Sequence, residues 1–348
     1  MNPRMLTLAR DSRGVTQKQL EVGSGVAQSL ISKAETGVRQ LRDEELRAIA
    51  DYLRVTPELL SWRDEPYGFG SASFFHRKQQ SLSQRILREI QAKVNLLRMR
   101  LERLIDGLAV ELDRSISRID LDEVGGPQEA ARRLRAAWNV PMGPVNQLVS
   151  LVERAGGVVI RRDFATHRIN AISIWHPGSM PLFVLNDSLT PERQRFVLAH
   201  ELGHIVMHEG EPPRDNAERE ADLFAEELLM PSAEIRTDLA EIDLRKAAAL
   251  KPYWQVPMQS LVLRAEHLGT ISNSRSRSLH AYMNKLGYLP IEPLPLSREE
   301  PTVLADMYRV HLTEHGYSVS ELAFVLGMFE DELSAELPKS GQRLTLVR

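Results

Sequence analysis

The strongest chemical signal in the sequence is the pentapeptide His200-Glu201-Leu202-Gly203-His204, which lies inside the run Arg195–His208. Residues four apart lie on one face of a helix, so both imidazoles can bind a single metal ion. Glu201 lies beside them, where its carboxylate could deprotonate a water on that metal rather than bind the metal itself. The alternative is a helix with two exposed histidines that bind nothing.

A catalytic zinc site needs a third protein ligand and an open fourth position. We predict a helix over Asn216–Met230 that is stopped by Pro231. Its buried stripe would consist of Ala221, Ala225, Leu228 and Leu229. Glu218 falls on that stripe, where a carboxylate is costly unless it is paired or bound to a cation, whereas Glu220 turns away as a surface charge. We therefore prefer Glu218 over Glu220 as the third ligand.

Two further side chains near these residues have candidate roles. Asp222, one turn beyond Glu218, could accept a hydrogen bond from a ligand histidine and fix its tautomer; the alternative is a plain surface aspartate. His208, four residues beyond His204, could also bind a metal, but a role in supporting the ligands or a structural role is preferred.

Composition narrows the class of protein. The chain has 348 residues, of which 43% are hydrophobic and 26% charged, which is typical of two or three globular domains and excludes a disordered or collagen-like chain. It has no cysteine, which excludes disulfide scaffolds, zinc ribbons and thiol nucleophiles. The net charge of −3 gives no global attraction to nucleic acid. No apolar run approaches the ~18 residues of a membrane span, so we predict a cytoplasmic protein that binds no membrane.

Hydrophobic periodicity predicts a multidomain, mainly α-helical fold with one small sheet. The predicted regions are an all-helical module (1–62), a linker rich in Gly, Pro and Ser (63–82), a long amphipathic helix (83–118), an α+β domain (128–290) and a C-terminal helical region (291–348). Strands are expected at Gly157–Ile160, Ala171–Trp175 and Leu182–Leu185. A capping box is expected at Ser297 and Glu300.

The long helix carries a single apolar seam. Its members are Ile86, Ile90, Val94, Leu97, Leu101, Leu104 and Leu108. Such a seam is compatible with a coiled-coil homodimer, but packing against the core of the same chain is preferred. In the C-terminal region, the run Tyr317–Gly327 is compatible with a second helix-turn-helix. The alternative is an ordinary helical cap.

The α+β domain resembles the ImmA/IrrE family of zinc metallopeptidases. The resemblance rests on the five-residue motif and on matching residues before and after it. These are Ile172-Ser173-Ile174, Val184-Leu185-Asn186, Glu192-Arg193-Gln194-Arg195-Phe196, and Glu218 followed by Ala221, Phe224, Ala225, Leu228, Met230 and Pro231. The family implies a gluzincin-like site, with Zn²⁺ on His200, His204 and Glu218 and with Glu201 as general base. It also implies cleavage of a partner transcriptional repressor in stress or mobile-element regulation.

The N-terminal module resembles the phage-repressor-like (XRE/Cro) helix-turn-helix over residues 3–60. The matching residues are Thr16-Gln17, Leu20, Gly25-Val26, Gln28-Ser29, Ile31-Ser32-Lys33, Glu35 and Gly37. The resemblance implies a recognition helix from Gln28 to about Glu35 in the major groove of DNA. Its base-facing side chains would be Gln28, Ser29, Ser32 and Lys33, and Gln17 and Arg39 would reach phosphates.

Two positions depart from the helix-turn-helix pattern. Glu21 replaces a small residue that packs against the recognition helix, and Ala27 replaces the serine that usually caps it. Residues 1–60 carry nine basic and eight acidic side chains, so non-specific affinity for phosphate would be modest. The alternative to DNA binding is a helical domain kept for dimerisation or substrate docking.

Together these features predict a regulatory zinc endopeptidase fused to a DNA-binding domain, acting on a protein partner. The competing hypothesis is a non-enzymatic transcriptional regulator that uses the peptidase-like domain as a sensor or dimerisation module. For the side chain that stabilises the oxyanion, His267 and Tyr253 are candidates only.

Overall fold

The computed structural model describes residues 1–67, 83–108, 114–176, 178–208 and 215–337. The chain divides into two compact units. Of the described residues, the first unit comprises 1–67, 83–108 and 302–337, and the second comprises those from 114 to 301.

The described residues form 17 α-helices, one short 3₁₀ helix (Leu59–Ser61) and one sheet. The helices of the first unit are α1 (Pro3–Ser12), α2 (Gln17–Ser24), α3 (Gln28–Glu35), α4 (Asp43–Leu53) and α5 (Gln84–Ile105), then α15 (Val303–Thr313), α16 (Val319–Val325) and α17 (Glu330–Glu336). Those of the second unit are α6 (Leu121–Val124), α7 (Pro127–Ala137), α8 (Leu148–Arg154), α9 (Pro191–His208), α10 (Ala217–Leu229), α11 (Ser232–Ile235), α12 (Leu244–Trp254), α13 (Met258–His267) and α14 (Asn273–Lys285). The predicted mainly helical fold is confirmed.

The first unit contains an apolar core to which the long helix α5 contributes Ala92, Leu96 and Met99 together with residues of α1–α4. Two seam residues, Ile90 and Val94, are also buried within the chain. The amphipathic face of α5 therefore packs in its own unit, as preferred from the sequence. The homodimer remains a prediction.

The C-terminal helices belong to the first unit, although they follow the α+β region in the sequence. The buried His311 of α15 lies 2.7 Å, through Nε2, from the carbonyl oxygen of Leu104 at the end of α5. Arg100 of α5 donates to the carbonyl of Leu326 just after α16. The side chain of Arg13, after α1, pairs with Glu332 of α17.

Only residues 63–67 of the predicted linker are described, and they are tied to α5. Asp64 forms an ion pair with Arg103, and the side chain of Asn95 bonds both the N–H and the carbonyl of Tyr67. The rest of the predicted linker and residues 109–113 after the long helix lie outside the described residues.

The sheet of the second unit consists of β1 (Val158–Arg162), β2 (Ala171–Ile174) and β3 (Leu182–Asn186), in the order β1-β3-β2. Strand β3 pairs parallel to β1 and antiparallel to β2, with Ser173 opposite Phe183. All three predicted strands are present. Asn186 at the end of β3 is buried and donates to the carbonyls of Thr166 and Ile169, so it holds the preceding loop.

The expected capping box at Ser297 and Glu300 is wrong, because residues 295–302 are not helical and the next helix begins at Val303. Glu299 instead accepts a hydrogen bond from the N–H of Val149, and Glu300 pairs with Arg161 of β1. These tertiary contacts use the carboxylates that a local cap would require.

None of the helices in the described ranges combines the length and the apolar character needed to cross a lipid bilayer.

Candidate metal centre and nucleic-acid interface

Helices α9 and α10 lie against each other at a glycine. A Cβ added to Gly203 would lie 3.0 Å from Cδ1 of Phe224 and 3.4 Å from Cα of Ala221. A larger residue would push the helices apart, so the glycine within the five-residue motif permits the close approach that brings their polar side chains together. This role of Gly203 was not predicted from the sequence.

Buried charged groups anchor α9. At its first turn Glu192 pairs at 2.8 Å with Lys251 of α12, which also lies 3.3 Å from Glu292. Arg195 pairs with Glu299 and donates to the carbonyls of Val145 and Gln255. Burial lowers the pKa of Arg195 to about 10, so its guanidinium stays charged at neutral pH. Removal of one partner would leave a buried charge without compensation, so these contacts fix where α9 lies.

His200, His204 and Glu218 are brought together by the crossing of α9 and α10. One ligand atom from each lies within 4.8 Å of the other two. His204 Nε2 is 3.1 Å from His200 Nε2 and 3.2 Å from Glu218 Oε1, and His200 Nε2 is 3.9 Å from Glu218 Oε2. Two imidazole nitrogens and one carboxylate oxygen converging on one point fit the donor set of a divalent metal ion.

Asp222 lies behind the first of these histidines. Its Oδ1 is 2.8 Å from His200 Nδ1, so Nδ1 carries the proton and Nε2 faces His204 and Glu218. Burial opposes a charge on His200, but the hydrogen bond to Asp222 and the charges of Glu201, Asp222 and Glu218 raise the pKa of the imidazole above 6.5. Protons therefore compete with a metal for His200 when the pH falls below that raised value.

Glu201 is buried on α9 and does not join the cluster of candidate ligands. Its Oε2 accepts a hydrogen bond of 2.5 Å from Ser173 Oγ on β2. Ser173 belongs to a strand that matches the family pattern, but no role was predicted for it from the sequence. Its sequence signal is a polar residue at a strand position between Ala171 and Trp175, both of which pack in the core of the second unit.

Glu220 and His208 form a separate pair beside the cluster. Glu220 Oε2 lies 3.4 Å from Nε2 of the buried His208, and the Glu220 side chain is 21% exposed. The expectation that Glu220 is a solvated surface charge is therefore wrong. The pair links the last turn of α9 to the first turn of α10, on either side of residues 209–214, which are not described.

The two candidates for an oxyanion-stabilising group are engaged elsewhere. His267 Nδ1 faces the buried carboxylate of Glu226, at 2.8 Å from one of its oxygens. The hydrogen bond to Glu226 raises the pKa of His267, although burial opposes this. Tyr253 is exposed and packs edge-on against Trp254.

Helix α3 presents the predicted base-contacting side chains on the first unit. Gln28, Ser29 and Lys33 are exposed, and Ser32 is half-buried. The two predicted phosphate contacts make bonds within the protein. Gln17 Nε2 donates to Glu35 at 2.7 Å, and Arg39 donates to Glu45 at 3.4 Å.

The two departures from the helix-turn-helix pattern compensate each other. Ala27 makes no side-chain cap, as expected, but Glu21 Oε1 accepts the backbone N–H of Gln28 at 3.1 Å. Glu21 also pairs with Lys18. The hydrogen bond from Lys18 and then that from Gln28 hold the pKa of Glu21 below its usual value. The predicted loss of the cap at Ala27 is therefore confirmed, and α2 supplies an acceptor for the first N–H of α3 instead.

Comparisons with known proteins match both parts of the chain. Residues 152–266 match the model of the IrrE N-terminal-like domain, and residues 6–60 match the helix-turn-helix model. The chain is similar to "Metallopeptidase ImmA" of Bacillus subtilis (strain 168), at 28% identity over 102 residues. That match covers 26% of this chain and 59% of the relative, so the chain spans less than two thirds of the relative's length. No solved structure matches the chain.

Proposed function

Since the chain carries an IrrE N-terminal-like domain behind a helix-turn-helix domain, we propose that it is a zinc-dependent endopeptidase of restricted specificity. Its substrate would be a partner protein, a transcriptional repressor, and the helix-turn-helix would bind DNA in the cytoplasm. The observation that carries the proposal is the convergence of His200, His204 and Glu218 beside the buried carboxylate of Glu201.

In this proposal His200, His204 and Glu218 hold the metal, and Asp222 orients His200 through Nδ1. Zn²⁺, when bound, polarises the substrate carbonyl and lowers the pKa of a water. Glu201 accepts the proton of the attacking water and delivers it to the leaving amine, so that peptide hydrolysis releases one carboxylate and one amine. An extended substrate segment would pair with β2, which lies at one side of the described sheet.

Chelation is expected to abolish cleavage, and stoichiometric Zn²⁺ is expected to restore it. The reason is that the ion, and not the three donor side chains, would polarise the substrate carbonyl and activate the water. The measurement is the appearance of new protein N-termini, by mass spectrometry, in a lysate incubated with the metal-loaded protein. A few specific cleavage sites are expected. If the zinc-loaded protein yields the same N-termini as the Glu201→Gln variant, the non-enzymatic regulator becomes the better explanation.

For the DNA-binding part, Lys33→Ala is expected to weaken binding and to relax the preference at the base pair that it contacts, because Lys33 is one of the predicted base-facing side chains and is exposed on α3. Gln28→Ala is expected to relax preference at one base pair, by about 1–3 kcal/mol. Affinities would be measured by fluorescence anisotropy on duplexes selected from random DNA by the full chain.

The matched control for Lys33→Ala is Lys93→Ala. Lys93 is an exposed lysine of α5 in the same unit, and its removal changes the net charge equally. Equal losses in both variants would mean that binding reflects overall charge, which would contradict groove recognition by α3.

A further inference from the structure

The half-buried hydroxyl of Ser173 donates one hydrogen bond within the described part of the chain, and its acceptor is the proposed general base, Glu201. Ser173 lies on β2, whereas His200, Glu201 and His204 lie on α9. Successive side chains of a strand point to opposite faces. Ser173 therefore shares a face with Ala171, which belongs to the core, and it is the polar position of that face.

Glu201 is only 4% exposed, so its carboxylate depends on protein partners for orientation. Oε2 accepts the 2.5 Å hydrogen bond from Ser173, and over the described part of the chain no hydrogen bond to Oε1 is found. A hydrogen bond to an ionised acceptor is short and strong, and it restricts the rotation of the carboxylate. One oxygen is thus held by β2 while the other is left to accept a proton.

We propose that Ser173 is a positioning residue for the hydrolytic reaction: its hydroxyl fixes the Glu201 carboxylate so that Oε1 faces the attacking water. This inference rests on the proposed peptidase function and adds a residue to it. Among the described residues, no hydrogen bond joins Ser173 to the three candidate ligands, and in this scheme it does not touch the reacting atoms. It acts through Glu201, and it couples the strand proposed to bind substrate to the orientation of the base.

A purely structural role would have a different outcome. If the hydroxyl only satisfied a buried carboxylate, Ser173→Ala would lower thermal stability and leave the turnover of the folded enzyme unchanged. If it positions Glu201, Ser173→Ala would lower kcat and leave KM and zinc content unchanged, and Ser173→Thr, which keeps the hydroxyl, would restore most of kcat.

The experiment compares zinc-loaded wild type, Ser173→Ala, Ser173→Thr and the control Ser188→Ala. The control removes another serine hydroxyl of the second unit, which donates to Asn186 at 2.8 Å. We expect Ser173→Ala to lose about 10–100-fold in kcat, the usual cost of an outer hydrogen-bond partner, with KM within twofold of wild type. We expect Ser188→Ala to retain the wild-type kcat.

A second measurement does not depend on activity. The ¹³Cδ signal of Glu201, identified by its absence in Glu201→Gln, is expected to shift in Ser173→Ala and to stay near its wild-type position in Ser173→Thr. An unchanged signal in Ser173→Ala would overturn the hydrogen bond itself. If the wild type cleaves its substrate and Ser173→Ala keeps the wild-type kcat, the positioning role is overturned and the peptidase proposal stays intact. A wild type without cleavage would refute the proposed function, whatever the signal shows.

Discussion

Replacement of Glu201 by glutamine is expected to reduce peptide cleavage by about 10²–10⁴-fold while leaving zinc bound, since this is the usual contribution of a positioned acid–base group. The amide has nearly the shape of the carboxylate, and its oxygen can still accept the hydrogen bond from Ser173 Oγ. It cannot accept a proton at neutral pH. The rate would be measured as single-turnover cleavage, and zinc content by mass spectrometry on the same preparations.

Glu129→Gln is the matched control for this variant. Glu129 is a partly exposed carboxylate in the same unit, paired with Arg132, and its loss changes the charge equally. Wild-type cleavage by the Glu201→Gln protein would show that the base is another group. Loss of zinc together with activity would mean that Glu201 serves the metal site and not proton transfer.

The helices and strands around the candidate site could be predicted from local sequence because their signals are local. The four-residue spacing of His200 and His204 places both on one face of α9 whatever surrounds that helix. The alternating and apolar runs that became β1–β3 are equally independent of context. The fold class could therefore be predicted from the sequence alone.

The contacts between these helices and strands could not be predicted in the same way. The bond between Ser173 and Glu201 depends on how β2 lies against α9, and no pattern within either element encodes it. The close approach at Gly203 depends equally on Phe224 of α10. Sequence alone shows a serine in a strand and a glycine in a helix, both of which have ordinary local explanations.

Local capping rules failed where tertiary contacts used the same groups. Ser297 and Glu300 fit a capping box, yet Glu300 pairs with Arg161 and no helix begins there. At α3 the opposite occurs: the local rule predicts no cap, yet the first N–H of the helix has an acceptor. Ala27 cannot cap, and the acceptor comes from Glu21, seven residues before Gln28 and on another helix. A capping rule that relates only residues three positions apart in the sequence predicts neither case correctly.

Glu218→Ala is expected to lose zinc, and Glu220→Ala is expected to keep it. Both residues lie in the first turn of α10, carry the same charge and face a histidine of α9, which makes the second variant a close control for the first. They differ in which histidine they face. Glu218 approaches both His200 and His204, whereas Glu220 approaches His208 alone.

Asp222→Asn supplies an intermediate case, because it weakens the hydrogen bond that orients His200 without removing a ligand. Loss of such an outer partner costs about 10–100-fold in metal affinity, so a larger loss is expected for Glu218→Ala and little change for Glu220→Ala. Affinities would be measured by competition with a chromogenic chelator at pH 7.5. All variants would be compared at this one pH, because the raised pKa of His200 makes zinc binding depend on pH. If zinc were lost from Glu220→Ala and retained by Glu218→Ala, the third ligand would be Glu220, and the metal would lie toward His208, one turn further along α9.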